Sequence, residues 1–196
     1  MDPCFSEIMV EFLAVAFHNI LYYASVYPRN IFETRKKYSI VIYHCVHPEI
    51  KQYIELCLKS ASECLKAGKL HRILFSITNN DYKPLLKFVF DLSKNEEFND
   101  TTDAYLVQAE QNLRAFCLKL STMSDKFEGL PEDVSFAIHL HTTESTAVSL
   151  ATNPDFEEFP LVEVDEMAKE TDMIIPIRRF SIRKFKLDTY IEVQGT

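Results

Sequence analysis

The first part of the chain carries apolar residues at the spacing of an amphipathic helix. Ser6 comes before this pattern and is a residue type that caps helix N-termini. The Tyr27–Pro28 step ends it, because a proline disfavours helical backbone in the residue before it. The spacing predicts a helix from Ser6 to about Tyr27. Its buried stripe consists of Met9, Phe12, Leu13, Ala16, Phe17, Ile20 and Ala24.

Two further helices and several strands are predicted downstream. His47-Pro48-Glu49 opens a second helix that Gly68 closes, and residues 99–102 cap a third. The Asn79-Asn80-Asp81 segment separates two apolar runs and indicates a hairpin. The fold class is therefore α+β, with three helices on one face of a largely antiparallel sheet. The predicted stripe of the third helix is Leu106, Val107, Leu113, Phe116, Cys117 and Leu120.

The C-terminal residues alternate between apolar and charged side chains, which predicts a half-buried strand. Tyr190 falls on the charged face of this strand, so it points toward solvent or a partner. On the same pattern Leu187 and Ile191 face the core.

The segment before this strand is acidic and irregular. Residues 155–170 hold seven acidic residues and one lysine, interrupted by Phe156, Phe159 and Pro160. The region from Thr143 to about Pro160 has no predicted structure, and compact domains rarely keep so long a loop without a function. An irregular strap that leads to a docked terminal hairpin is typical of a clasp over a bound peptide.

Composition narrows the classes of function. The 196 residues fit one soluble domain, and no apolar run is expected to approach the roughly 20 residues of a membrane span. A net charge of −8 disfavours direct nucleic-acid binding. Three glycines are too few for a phosphate-binding loop, and the five cysteines at irregular spacings are expected to be reduced thiols.

Candidate catalytic and metal-binding residues are sparse. His44, Cys45 and His47 are residue types that bind metals, and His139 and His141 share one strand face. Neither group comes with a CxxC or HExxH pattern, and a closed zinc site needs four convergent ligands. A catalytic pair of Cys45 and a histidine stays open as an alternative, although no nucleophile motif surrounds Cys45. No cofactor is expected.

Several motifs together resemble the HORMA family. They are ILYYASVYPRNIFETRKKY, HPEIKQYIELCL, PLLKFVFDL and QNLRAFCLKL. The resemblance runs from about Glu11 to Val193 and, within the family, points to members that are accessory subunits of DNA polymerase zeta. It implies a single domain over residues 1–196, with a core over about 6–142 and a C-terminal safety belt over about 143–196.

The resemblance also implies a peptide groove. A proline-containing peptide of the polymerase zeta catalytic subunit would lie under the belt and contact Tyr27, Tyr53, Leu161 and Glu163. The family commonly has tryptophan where this chain has Leu161, so a large rigid anchor is missing here. As an alternative, the rings of Tyr27 and Tyr53 simply complete the core.

A second surface is implied on the terminal hairpin. By resemblance, Ile174, Asp188 and Tyr190 would dock the C-terminal domain of the Rev one polymerase, and Asp188 stands where the family commonly has glutamine. The alternative is a solvated edge strand with protective lysines. Arg114 matches a position used for pairing between two HORMA domains, unless it is simply a solvated helix arginine. Residues 35–37 are predicted to form a solvated basic turn.

Three functions follow from the sequence. The first is a non-catalytic adaptor of polymerase zeta in translesion synthesis and DNA repair, located in the nucleus and also in the cytoplasm. The second is a spindle-checkpoint or meiotic-axis HORMA adaptor that takes a different closure peptide. The third is an enzyme that uses Cys45 and His47. No direct contact with nucleic acid or with a membrane is expected.

Overall fold

The structure of the protein is a computed structural model that describes residues 3–94, 105–143, 152 and 171–194. Its helices are α1 (Pro3–Tyr23), α2 (Pro48–Lys66) and α3 (Tyr105–Ser121), with short 3-10 helices at Arg29–Ile31 and Ser124–Lys126. Its strands are β1 (Phe32–Lys37), β2 (Ile40–Cys45), β3 (Arg72–Thr78), β4 (Pro84–Lys94), β5 (Ser135–His141), β6 (Thr171–Ile182) and β7 (Phe185–Gln194).

Five of these strands form one antiparallel sheet in the order β5-β3-β4-β7-β6. Strands β1 and β2 pair separately as a two-stranded antiparallel ribbon. The predicted fold class, three helices with a mainly antiparallel sheet, is confirmed.

The helices cover one face of the large sheet through aromatic rings. Phe12 of α1 makes edge contacts with Phe116 of α3 at 4.9 Å and Phe90 of β4 at 6.2 Å between ring centroids. Phe17 lies 5.1 Å from Phe75 of β3. These rings are almost completely buried, so α1 is the central element of the core. We call the opposite side of the sheet the outer face.

Helix α1 differs from its predicted bounds. It begins at Pro3, so Ser6 lies inside the helix, fully buried, and does not cap it. It ends at Tyr23, because Ser25 adopts the left-handed backbone region with φ of 53°. Tyr27 therefore lies beyond the helix and not at its end.

We expected no segment to be apolar enough to span a membrane. Judged only by its length and composition, one helix is, so this expectation was wrong. The stretch Cys4–Tyr23 passes that test, but 67% of its most apolar window is buried inside the protein. Helix α1 is apolar on nearly all sides because α2, α3, β2 and the sheet surround it.

Two other local predictions were also wrong. The basic residues Arg35, Lys36 and Lys37 belong to strand β1, and the turn lies at Tyr38 and Ser39, whose φ values are 50° and 60°. The polar sequence of β1 does not predict a strand, but main-chain pairing with β2 along its whole length holds it in one. In α3, the predicted core residues Leu106 and Val107 are 48% and 61% exposed, because the buried stripe starts only at Ala109.

Other predictions held. Helix α2 begins at Pro48, and Gly68 follows its end with φ of 67°. The side-chain oxygen of Asn79 accepts hydrogen bonds from the amides of Asp81 and Lys83 in the β3–β4 turn. All five cysteines are free thiols, and four of them are buried. The predicted cap at residues 99–102 lies outside the described residues.

Candidate functional site: an aromatic sheet edge and the outer face of the terminal hairpin

Tyr27 and Tyr53 come together at one edge of the large sheet. Both rings make edge contacts with Phe136 of β5, at 6.1 Å for Tyr27 and 5.4 Å for Tyr53 between centroids. The Phe136 ring in turn stacks on buried Phe75 at 5.1 Å. We call Tyr27, Tyr53 and Phe136 the edge cluster. Its three rings are half-buried, so they pack on the core and still offer surface at the sheet edge.

The hydroxyl of Tyr53 reaches the main chain of β5. The amide of Ile138 donates a hydrogen bond to this hydroxyl oxygen at 3.1 Å. In an antiparallel pair, alternate residues turn their main-chain groups away from the neighbouring strand. The Ile138 amide therefore points away from β3, and Phe136 and Leu140 present their main-chain groups on the same side. In the part of the chain that the structure describes, β5 pairs only with β3.

Both tyrosines of the edge cluster keep their protons near neutral pH. Burial raises the pKa of Tyr53 to about 12, and burial also raises the pKa of Tyr27. Neutral phenols can donate and accept hydrogen bonds with a peptide while their rings pack against apolar side chains. The two remaining groove predictions, Leu161 and Glu163, lie outside the described residues.

The three residues predicted for a second surface are neighbours on the outer face. In the pairing of β6 with β7, Ile174 is opposite Glu192, Pro176 is opposite Tyr190, and Arg179 is opposite Asp188. Ile174 is 60% exposed, whereas Leu187, Thr189 and Ile191 face the helices and are buried. The predicted alternation of β7 is therefore correct, with Tyr190 on the face away from the core.

Arg114 is engaged within its own chain. Its Nε atom donates to the carbonyl oxygen of Tyr38 at 2.7 Å, and Nη2 lies 3.5 Å from the carboxylate of Glu110. These contacts attach α3 to the left-handed turn of the β1–β2 ribbon. About a third of the side chain stays exposed, so its use in pairing two HORMA domains remains a prediction.

The basic residues of β1 are partly neutralised. Arg35 forms an ion pair with Glu33, and Lys37 forms one with Glu11 of α1. The ribbon therefore presents a mixed surface, which does not strengthen the case for nucleic-acid binding.

The residues considered for catalysis do not form an activated site. Cys45 is fully buried, and burial raises the pKa of its thiol, which is the opposite of an activated nucleophile. Among the described residues, no three His, Cys, Asp or Glu side chains are close enough to hold a metal ion. His44 instead lies 4.0 Å from the ring of His18, whose Nδ1 accepts a hydrogen bond from the Cys45 amide.

His18 is expected to make the fold sensitive to acid. Burial, with smaller contributions from His44, Arg35 and Lys51, lowers its pKa from 6.5 to about 3. Because the folded pKa lies below the unfolded one, the stabilisation is complete above about pH 6.5 and is lost as the pH falls. We expect the free energy of unfolding to fall by up to about 1.4 kcal/mol per pH unit between about pH 6 and pH 4 from this residue.

Denaturant unfolding as a function of pH measures this effect in wild type and His18→Gln. The glutamine side chain can still accept a hydrogen bond from the Cys45 amide, but it does not titrate. The free energy of unfolding of the variant should therefore depend less steeply on pH, by up to about 1.4 kcal/mol per pH unit, which is the contribution of His18. Equal slopes in both proteins would mean that His18 is not the group responsible. His139, whose pKa is also lowered by burial, contributes to the pH dependence of both proteins.

Two residues of these surfaces were not singled out from the sequence. Phe136 is not among the predicted site residues, and nothing local marks it as the meeting point of Tyr27 and Tyr53. Asp91 of β4 accepts hydrogen bonds from Arg72 of β3 and Tyr190 of β7, residues 19 and 99 positions away in the chain. Finding either residue would have required the strand order and register of the sheet, which the sequence patterns do not give.

Comparison with known proteins agrees with the fold. The HORMA domain model matches residues 6–173. The human mitotic spindle assembly checkpoint protein MAD2B is 30% identical over 189 residues, covering 95% of this chain and 90% of that protein. The Drosophila melanogaster DNA polymerase zeta subunit 2 is 26% identical, covering 95% of this chain and 96% of the relative.

A solved structure shares the architecture at lower identity. Caenorhabditis elegans HTP-2 bound to HTP-3 closure motif 1 superposes with a TM-score of 0.74 at 14% identity, covering 100% of this chain and 88% of that one. At this identity the likeness concerns the fold alone. The family match over most of the chain, together with three helices on an antiparallel sheet, establishes that this protein belongs to the HORMA-domain family.

Proposed function

We propose that this protein is a non-catalytic adaptor that captures a proline-containing peptide of the DNA polymerase zeta catalytic subunit. The observation that carries the proposal is the edge cluster, where Tyr27 and Tyr53 meet on Phe136 beside the outward main-chain groups of β5. An extended peptide can add to such an edge through main-chain hydrogen bonds while its side chains pack on the rings. The HTP-2 structure provides a precedent for a bound closure motif in a protein of this fold.

The peptide would be retained by the C-terminal part of the chain. We assign residues of about 143–196 to a belt that closes over the peptide, with the β6–β7 hairpin as its docked end. Release would then require the hairpin to detach from β4, which slows dissociation more than it changes association. The polymerase assignment is supported by the similarity to the Drosophila DNA polymerase zeta subunit 2. We further propose that the protein acts in translesion synthesis in the nucleus.

Removing one ring of the edge cluster should weaken peptide capture. We expect Tyr53→Ala to reduce affinity for a proline-containing peptide of the catalytic subunit about thirtyfold, since loss of a central aromatic anchor costs about 2 kcal/mol. Leu161→Ala should act in the same direction if Leu161 lines the groove. Calorimetry with the same peptide provides the measurement.

Tyr82→Ala is the matched control, because it removes the same side chain from a residue that is 86% exposed in the β3–β4 turn and is not part of the edge cluster. It should bind the peptide as wild type does. Unchanged affinity in Tyr53→Ala would place the groove elsewhere. Peptides from a spindle-checkpoint activator and from a meiotic-axis protein should be measured in parallel, and tighter binding of either one would favour the alternative HORMA function.

The outer face of the terminal hairpin is proposed as a second docking surface, for the C-terminal domain of the Rev one polymerase. Tyr190, Pro176 and exposed Ile174 form an apolar strip there, and the ion pair of Arg179 with Asp188 borders it. An apolar centre with a charged rim is the usual anatomy of a protein interface. This surface and the edge cluster lie at opposite ends of the sheet, so both partners can bind at once.

A further inference from the structure

A row of charged residues crosses the outer face beside Tyr190. At successive strands of the sheet, Arg72 of β3 is opposite Asp91 of β4, Asp91 is opposite Asp188 of β7, and Asp188 is opposite Arg179 of β6. We call these four residues the Asp91 row. Its two carboxylates face each other, an arrangement that repels unless each charge has its own partner.

Each aspartate of the row has a separate set of donors. The carboxylate of Asp91 accepts hydrogen bonds from Nε and Nη2 of Arg72, the latter at 3.1 Å. It also accepts one from the Tyr190 hydroxyl at 2.9 Å. Among the described residues, Asp188 accepts hydrogen bonds from Arg179, through Nε at 2.7 Å and through Nη2. The Tyr190 hydroxyl is therefore attached to the aspartate that Arg72 holds, and not to the aspartate of its own strand.

This attachment fixes what Tyr190 can offer to a partner. Its ring lies in the next row of the outer face, between Val89 and Pro176, with Val89 fully buried. Burial and the hydrogen bond to Asp91 raise the pKa of Tyr190 to about 12, so the phenol keeps its proton and directs it toward Asp91. The hydroxyl oxygen then has lone pairs available to accept a hydrogen bond, but no proton left to donate.

We propose that Asp91, oriented by Arg72, is a positioning residue for partner docking at Tyr190. It holds the hydroxyl so that the ring presents a fixed apolar face, and it selects a partner that places an N–H or O–H donor against the Tyr190 oxygen. This inference rests on the proposed second surface and adds the direction of one hydrogen bond, in which the partner donates and the Tyr190 oxygen accepts. A partner that offers only an acceptor at this point, such as a carboxylate, is disfavoured because the only phenol proton is committed to Asp91.

A double-mutant cycle on the full chain tests the proposal. Asp91→Asn, Tyr190→Phe and the combined variant are titrated with the Rev one C-terminal domain by calorimetry. The two changes remove the same charge-assisted hydrogen bond, so each should weaken binding about tenfold, and together they should still weaken it about tenfold and not a hundredfold. Asp81→Asn, the same chemical change in the remote β3–β4 turn, should bind as wild type does.

A second readout does not depend on the partner. The pKa of Tyr190 is followed by NMR in protein with 13C-labelled tyrosine, and the Tyr190 signal is assigned by its loss in Tyr190→Phe. We expect this pKa to fall clearly in Asp91→Asn and to stay unchanged in Asp81→Asn. Thermal melts of every variant verify that the fold is kept.

Additive losses of affinity, or an unchanged Tyr190 pKa in Asp91→Asn, would overturn the inference. If wild-type protein does not bind the Rev one domain at all, the proposed second surface is wrong and the docking role of Asp91 is wrong with it. The Tyr190 pKa would then still decide whether Asp91 holds the phenol. The two failures are thus distinguishable.

Discussion

Ile191→Ala is expected to lower the free energy of unfolding by about 3 kcal/mol and to speed the release of a captured peptide. Ile191 is completely buried on the helix-facing side of β7, directly opposite Phe88 of β4 and Ile175 of β6. Truncation leaves a cavity at the joint between the terminal hairpin and the rest of the sheet, and buried isoleucine-to-alanine changes cost about 2–5 kcal/mol. If the hairpin is the docked end of a belt, weakening this joint shortens the lifetime of the complex.

The matched change one residue earlier separates docking of the hairpin from docking of a partner. Tyr190→Ala should cost only about 1 kcal/mol of stability, mainly from the lost hydrogen bond to Asp91. It should weaken binding of the Rev one domain and leave peptide capture intact. Thermal melts and dissociation rates for both partners measure these effects. If both variants are equally destabilised, Tyr190 is as important to the core as Ile191, and the outer face is not a free surface.

Phe116→Ala is expected to lower the free energy of unfolding by about 4 kcal/mol. Phe116 is fully buried in α3 and contacts the rings of Phe12 at 4.9 Å and Phe90 at 6.0 Å. Its loss removes a ring from the point where α1, α3 and the sheet meet, and buried phenylalanine-to-alanine changes cost about 3–5 kcal/mol. Urea unfolding followed by circular dichroism provides the measurement.

Leu118→Ala in the same helix serves as the control. Leu118 is 49% exposed, so its truncation should change stability by no more than about 0.5 kcal/mol. A large loss in Leu118→Ala, or a small one in Phe116→Ala, would mean that α3 packs with a different face toward α1.

Several features could be predicted from the sequence because they depend on local patterns. Apolar spacing identified all three helices, and the Asn79 turn and Gly68 located two chain reversals. Alternation in β7 placed Tyr190 and Ile191 on opposite faces, since successive strand residues always point to opposite sides. These assignments needed no knowledge of which strand pairs with which.

Predictions failed where a tertiary contact outweighed the local signal. A basic run of low strand propensity became β1 because β2 pairs with it along its whole length. Ser6 looks like a cap, yet α1 extends past it to Pro3 because the residues around it are buried in the core. Leu106 and Val107 are apolar residues that the described part of the chain leaves exposed, so helical spacing alone overestimated the buried stripe.

By itself, the sequence determined the fold class, the presence of the three helices and the face on which each residue of β7 lies, because these follow from side-chain periodicity. Only the tertiary structure decided that Tyr27 and Tyr53 meet on Phe136 and that Asp91 holds Tyr190. These contacts join residues of different elements: Phe136 is 109 positions from Tyr27 and 83 from Tyr53, and Tyr190 is 99 positions from Asp91. Such proximity depends on strand order and register, which non-local hydrogen bonds and packing set and which local residue patterns do not encode.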